Sequence, residues 1–280
     1  MTSQSLYPTR RLTLAAGGVG IADLLAACSS GENGSDGGSG GSGGEDVLAR
    51  IQESGTVRIG VEGTYRPYAF HDDSGELVGF EKEIADAIAE GLGATPEFIE
   101  TEWDSLIAGL DVDRYDLVIN NVGITEEREQ AYAFSEPYAQ SIGRIAVPED
   151  SDIETVEDLE GAQAAQTATS NWAQQMEELG ADVVPVQGFA EAIELVLQGR
   201  ADATANDFIS FQTYQEEHPD AAFRVLDVDL PTDVTVGVIM QQGQDDLVSE
   251  VNSILEELMS DGSLTSIYEE WVGEDITPGA

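Results

Sequence analysis

The chain has 280 residues, of which 11 are Lys or Arg and 55 are Asp or Glu, giving a formal net charge of −44. Nucleic-acid binding is excluded on charge, because phosphate neutralisation needs clustered cations, and an anionic membrane surface would repel the chain. Disorder is excluded by the 41% hydrophobic content and by periodic apolar segments along most of the sequence.

Arg10 and Arg11 precede an apolar run, Leu12 to Ala27, that closes on small residues before Cys28, the sole cysteine. A basic start, a short apolar core and small residues at the cut site predict a secretory signal over residues 1–28. The arginine pair points to twin-arginine export, and Cys28 sits where a lipobox puts its lipidated cysteine. The run falls short of the ~20 apolar residues that a comfortable membrane span takes. Residues 29–46 are rich in Gly, Ser and acids and read as a flexible tether of about 23 Å r.m.s. span.

The globular part is expected from Val47 onward, as one large or two small domains. Val57, Ile59 and Val61 alternate as a short strand, and Phe80, Ile84, Ala85, Ile88 and Leu92 follow helical spacing up to Gly91 and Gly93. Asp116 to Val122 is a compact apolar run of buried-strand type. Then come a helix from Asn171 to Leu179, a strand near Val183 to Val186, and a helix from Phe189 to Gln198. Strand Ala201 to Ala205, helix Phe208 to Glu217 and strand Phe223 to Leu226 follow. The chain closes with strand Val234 to Met240, helix Asp245 to Met259 and a short helix Leu264 to Trp271. Such alternation predicts an α/β fold with mainly parallel sheets.

Three segments are placed to carry chemistry. Asn120-Asn121-Val122-Gly123-Ile124-Thr125-Glu126-Glu127-Arg128 follows a strand, where open α/β sheets bind ligands. Arg128 suits a carboxylate, which guanidinium holds by two parallel hydrogen bonds, or equally pairs with Glu126 or Glu127. Gln166 to Trp172 joins a strand to a helix, with Thr169 or Ser170 as the N-cap and amides able to hold an anion. Asn206-Asp207 also ends a strand; Asp207 either accepts an ammonium or caps the helix that follows. His71 and His218 lie in polar turns far apart, no metal-ligand spacing occurs, and no nucleophile elbow, P-loop or dinucleotide signature is present. Neither metal nor cofactor is expected, and the residues on offer suit recognition of two opposite charges.

Gly79-Phe80-Glu81-Lys82-Glu83-Ile84-Ala85-Asp86-Ala87-Ile88-Ala89 resembles the signature of family-3 solute-binding proteins of ABC importers, which bind polar amino acids. Thr125-Glu126-Glu127-Arg128, Phe134-Ser135-Glu136-Pro137-Tyr138, Asp261-Gly262-Ser263-Leu264 and Trp271 extend the resemblance from about Gly55 to Glu274. Lys82 stands where an apolar residue is usual, a change on a helix surface. The resemblance implies a two-lobed periplasmic-binding-protein fold of type II with two crossover hinge strands. Lobe 1 would hold residues 47–141 plus 233–280, and lobe 2 residues 142–232. It implies that Arg128 clamps the ligand α-carboxylate, with the Gly123 and Ser170 amides and the Thr169 or Ser170 hydroxyl. Asp207 would take the α-ammonium, helped by the Asn121 carbonyl. Tyr65 and Trp103 would sandwich the ligand, with Glu62, Asn120 and Gln166 lining its side-chain end. Gly123 departs from the Ser or Thr common there, and the 120–123 and 166–171 strings look most like the cystine-binding branch.

The expected function is therefore a lipid-anchored receptor, outside the cell membrane, that binds a polar amino acid as a monomer and delivers it to an ABC permease. An exported cyclohexadienyl-dehydratase-like enzyme on the same fold and a sensory accessory protein are the alternatives. The dehydratase would need a positioned acid and base. The acidity itself suits concentrated salt, as in a halophile, since the Debye length at 1 M is ~3 Å and repulsion between surface carboxylates fades.

Overall fold

The computed structural model describes residues 46–228, 230 and 233–279; the expected signal, Cys28 and all but the last residue of the tether lie outside these. In chain order come α1 (Val47–Ser54), β1 (Thr56–Val61), β2 (Thr64–Tyr65), β3 (Ala69–His71), β4 (Leu77–Val78), α2 (Phe80–Gly91) and β5 (Thr95–Glu100). Next are α3 (Trp103–Leu106), β6 (Leu117–Val118), α4 (Glu126–Ala131), β7 (Tyr132–Phe134) and the long β8 (Ala139–Pro148). Then follow β9 (Gln163–Gln166), α5 (Asn171–Glu178), β10 (Asp182–Pro185), α6 (Phe189–Leu197), β11 (Thr204–Asp207), α7 (Phe208–Glu217) and β12 (Phe223–Val225). β13 (Asp233–Val236), β14 (Ile239–Gln241), α8 (Asp245–Ser260) and α9 (Ser263–Trp271) complete the series.

Two main sheets organise the molecule. The first has the order β5-β1-β6-β14-β7, parallel through β5, β1 and β6 and antiparallel at β14 and β7. Ile59, Leu117, Ile84, Ile88, Val251 and Tyr268, all fully buried, pack this sheet against α2, α8 and α9. The second centres on β8, flanked by antiparallel β11 and β12, with parallel β9 and β10 joined to it through a bridge from Ala164 to Ala203. Its core is Ile145, Val147, Ala164, Trp172, Met176, Ala203 and Ala205. β8 follows β7 of the first sheet in the chain and changes partner along its length: Ala139 to Ile142 pair with β13, and Gly143 to Pro148 with β11 and β12.

The fold is α/β, as the alternation predicts, but not mainly parallel: three of the ten strand pairings among the described residues are parallel. The crossover strand and the returning β14 run against their neighbours, which a reading of local elements does not register. The expected strand Val234 to Met240 is two, β13 and β14, separated by Gly237-Val238 and serving different sheets. The strand expected at Ala201 to Ala205 lies later, at Thr204–Asp207, and so delivers Asp207 as its last residue.

The family-like segment Gly79-Phe80-Glu81 has a clear local basis. Gly79 has φ 125°, and a Cβ there would stand 2.1 Å from the Tyr68 carbonyl oxygen. This close approach lets the Phe80 and Glu81 amides donate to Pro67 and Tyr68 at 3.1 and 3.0 Å, seating the first turn of α2 on the β2–β3 turn.

Candidate functional site

Every expected ligand-site residue except Arg128 sits at or just beyond the carboxyl end of a strand, Tyr65 being the last residue of β2. Glu62 follows β1, Trp103 follows β5, Asn120, Asn121 and Gly123 follow β6, and Asp207 ends β11. Gln166 ends β9, and Thr169 and Ser170 follow it. Strand ends expose backbone and side chains into a crevice that the sheets leave open.

Glu62, Tyr65, Trp103, Asn121, Ser170 and Asp207 meet around one cavity of about 40 Å³. That volume holds water-sized occupants, so an amino acid would enter only with movement of the walls. A neighbouring cavity of about 270 Å³ shares Trp103, Ser170 and Asn171 with the first and adds Arg128, Thr169 and Asp104. Asn120, Gly123 and Gln166 line neither cavity. Asn120 is buried and braces Glu62, its Nδ2 donating to Oε2 at 2.7 Å while its Oδ1 accepts from the Glu62 amide at 2.8 Å. The Gly123 carbonyl accepts from Arg128 Nη1 at 2.9 Å, and Gln166 is buried with its Nε2 unpartnered.

Asp207 is 2% exposed. Its Oδ2 accepts from Asn121 Nδ2 at 2.6 Å and from the Tyr65 hydroxyl at 3.0 Å, whereas Oδ1 is buried without a partner. The residue occupies the N-cap position of α7, yet its side chain makes no capping bond. Burial pushes its carboxyl up to about 7, against the pull of the Tyr65 and Asn121 hydrogen bonds. Glu62 is likewise pushed up to about 7, by burial first and by the charge of Asp104, with the Asn120 bond opposing. The cleft thus holds two carboxyls poised near neutrality.

Arg128 supplies the opposite sign. Its guanidinium lies 5.5 Å from the Trp103 ring centroid and donates to carbonyls, that of Gly123 and, at 3.4 Å, that of Thr169. No ion pair of Arg128 with Glu126, Glu127 or another acid occurs among the described residues. Desolvation lowers its pKa to about 10, with the charge of Glu127 opposing, so the side chain carries a poorly compensated cation.

The loop before α5 differs in detail from expectation. Ser170 is the N-cap, accepting from the Ala173 amide at 3.1 Å, and its own amide donates to the Thr167 carbonyl at 3.2 Å rather than pointing free. Thr169 instead turns to Asp104, its amide and hydroxyl donating to Oδ1 at 3.0 and 2.9 Å. Asn121 meets Asp207 through its side-chain amide, its backbone being left-handed at φ 51°.

Sequence reasoning missed Asp104, Phe189 and Glu81. Phe189 lines the small cavity just beyond β10, so the same strand-end rule would have found it. Glu81 stands at i, with Ile84, Ala85 and Ile88 at i+3, i+4 and i+7, so its spacing put it on the buried face. Neither histidine lines these two cavities, and no cluster of three metal-ligating side chains exists among the described residues.

The chain matches the model of bacterial extracellular solute-binding proteins, family 3, over residues 57–274, and it belongs to that family. A probable amino-acid ABC transporter-binding protein of Haemophilus influenzae is 40% identical over 233 residues, 83% of this chain and 90% of that protein. The L-cystine-binding protein TcyA of Bacillus subtilis is 34% identical over 255 residues, 90% of this chain and 94% of the relative. Among solved structures, an ancestral arginine-binding protein bound to arginine is similar with a TM-score of 0.73 at 33% identity, covering 78% of this chain and 98% of the other. The fold is thus the two-lobed α/β arrangement of this family.

Proposed function

We propose that this chain captures a polar amino acid between its lobes and hands it to the permease of an ABC importer, with cystine as the first candidate ligand. The observation that carries this reading is the pairing of two incomplete charges across neighbouring cavities. Asp207 keeps one buried oxygen open, and Arg128 meets carbonyls but no carboxylate. An α-amino acid completes both, its ammonium on Asp207 and its carboxylate on Arg128. Tyr65 and Trp103 provide the flanking aromatic faces, and Glu62, braced by Asn120, faces the distal part of the ligand together with Gln166. Gly123, Thr169, Ser170 and Asn121 shape the two ends.

Lobe 1 comprises residues 47–141 plus 233–280 and lobe 2 residues 142–232, with β8 and β13 as the crossover hinge. Cys28, lipidated and left as the first residue once the segment up to Ala27 is removed, tethers the protein outside the membrane through residues 29–46. The similarity to TcyA favours cystine, and the arginine-bound relative keeps cationic ligands in view. Binding, not turnover, is the role this reading assigns, and the relatives of Haemophilus influenzae and Bacillus subtilis, named as binding proteins, support it.

A thermal-shift screen of the purified protein against amino acids in molar salt tests the reading. A ligand at 100-fold its Kd stabilises the folded state by about 2.7 kcal/mol. A shift with cystine supports receptor and ligand together; a shift with arginine or glutamine keeps the receptor and changes the ligand. No shift with any amino acid, or turnover of a prephenate-like substrate, overturns it.

A further inference from the structure

Glu81 belongs to the family-like signature, yet it lines neither cavity of the cleft and is only 1% exposed. Its Oε1 accepts two donors, the backbone amide of Asn121 at 2.8 Å and the hydroxyl of Tyr138. Oε2 is buried without a partner. Each donor leads elsewhere. Asn121 stands in the left-handed region at φ 51° and sends its side-chain amide to Asp207. Tyr138 precedes β8, receives the Tyr268 hydroxyl on its carbonyl at 2.8 Å, and donates its amide to Val236 of β13 at 2.9 Å. One buried carboxyl therefore ties the loop that reaches Asp207 to the start of β8 and the end of β13.

We infer that Glu81 is a positioning residue for ligand capture, holding the Asn121 backbone in the conformation that presents its side chain to Asp207. Asn enters the left-handed region more readily than most residues, and here two bonds hold it there, its amide to Glu81 and its side chain to Asp207. The groups facing Glu81 suit an uncharged acceptor. The Tyr138 phenol donates to it, the Tyr68 and Tyr268 phenols and the Asp207 and Glu62 carboxyls lie within electrostatic reach, and no cation pairs with it among the described residues. Burial pushes its carboxyl up to about 8, consistent with a neutral acid that still accepts through Oε1. Glutamine reproduces that carbonyl acceptor; leucine fills the volume and accepts nothing.

The inference rests on the amino-acid-binding reading, and two measurements on the purified protein keep the two separable. The first is calorimetric affinity for L-cystine and L-arginine in the wild type, Glu81→Gln, Glu81→Leu and Tyr138→Phe. The second is the NMR resonance of the Asn121 amide proton, which needs no ligand. Glu81→Leu is expected to weaken binding by roughly tenfold or more, as for a buried donor left unpaired, and to move the Asn121 resonance. Glu81→Gln should restore both. Tyr138→Phe, which leaves the Asn121 bond intact, should change affinity by less than about threefold.

Glu81→Leu with wild-type affinity overturns the inference, as does equal loss in Leu and Gln. Should the Leu variant fail to fold, a tenfold loss in Tyr138→Phe with the Asn121 resonance unmoved overturns it by a second route. If the wild type binds neither amino acid, both ligand candidates fall, and the wider amino-acid screen decides the functional reading on its own. The Asn121 resonance still decides the positional link, which fails if Gln and Leu leave it alike.

Discussion

A carboxylate in this chain is usually surface solvation, so the informative residues are those that burial singles out. Three are buried among the described residues: Asp116 meets Arg50 and Arg58, whereas Glu81 and Asp207 meet no cation. A folded-state pKa raised to about 7 means that the native state at Asp207 binds more protons than the unfolded chain between about pH 4 and 7. Its burial therefore costs stability increasingly as pH rises through that window. Asp207→Asn should raise Tm at pH 8 more than at pH 5, while weakening amino-acid binding roughly 30-fold by loss of the ammonium partner. A variant that binds like wild type removes Asp207 from the site. Since an ammonium needs the ionised carboxylate, wild-type affinity should climb between pH 5 and 8, most simply followed by calorimetry; a flat profile contradicts that role. Arg128→Ala leaves a bound carboxylate without its partner and should cost roughly 3 kcal/mol or more, over 100-fold in Kd. The sequence named these residues but not their states. Asp207 and Arg128 each had a bland alternative, a helix cap and a pair with Glu126 or Glu127, and only side-chain direction separates the readings. Glu81 was hidden by abundance, because one more acid on a helix looks like surface in a chain this acidic.

At the level of elements, helices were legible because their apolar spacing is local: α2, α5, α7 and α8 start where the sequence reading starts them. Strands were less so. β8 gave no apolar alternation although its burial alternates from Ala139 to Ile145, because Ser141 and Gly143 fill buried positions, Ile142 an exposed one, and its partners change along its length. Gly143 is needed there, because a Cβ would stand 2.4 Å from the Trp172 ring. The split between β13 and β14 was invisible for the same reason, each half answering to a separate partner. The entry to α2 makes a sharper test. Gly79→Ala forces a side chain into a positive φ against the Tyr68 carbonyl and should destabilise by at least ~2 kcal/mol in denaturant titration. A cost under half that would mean that the turn relaxes easily. Ser170→Ala, removing an N-cap, should cost about 1 kcal/mol.

For the molecule as a whole, 55 acids against 11 bases make self-repulsion the dominant long-range term. Screening should therefore stabilise: Tm is expected to rise steeply from about 0.05 to 1 M salt as the Debye length falls toward ~3 Å. A Tm insensitive to KCl would place the stability in the apolar cores alone. Each sheet has its own core, the first also taking in Ile209 of α7, and β8 pairs with β13 where the chain passes from the first sheet. Along β8 the change of partner occurs in a single step, since Ile142 pairs with Asp233 and the next residue, Gly143, pairs with Asp207. The ladder on either side resists twisting, so any relative rotation of the sheets would fall on the torsions flanking the planar Ile142-Gly143 peptide, ψ of Ile142 and φ of Gly143. Asp207 is hydrogen-bonded beside that fulcrum. Whatever engages its carboxylate therefore acts on a very short lever arm, where an ångström at the ligand becomes a large sweep at the rim.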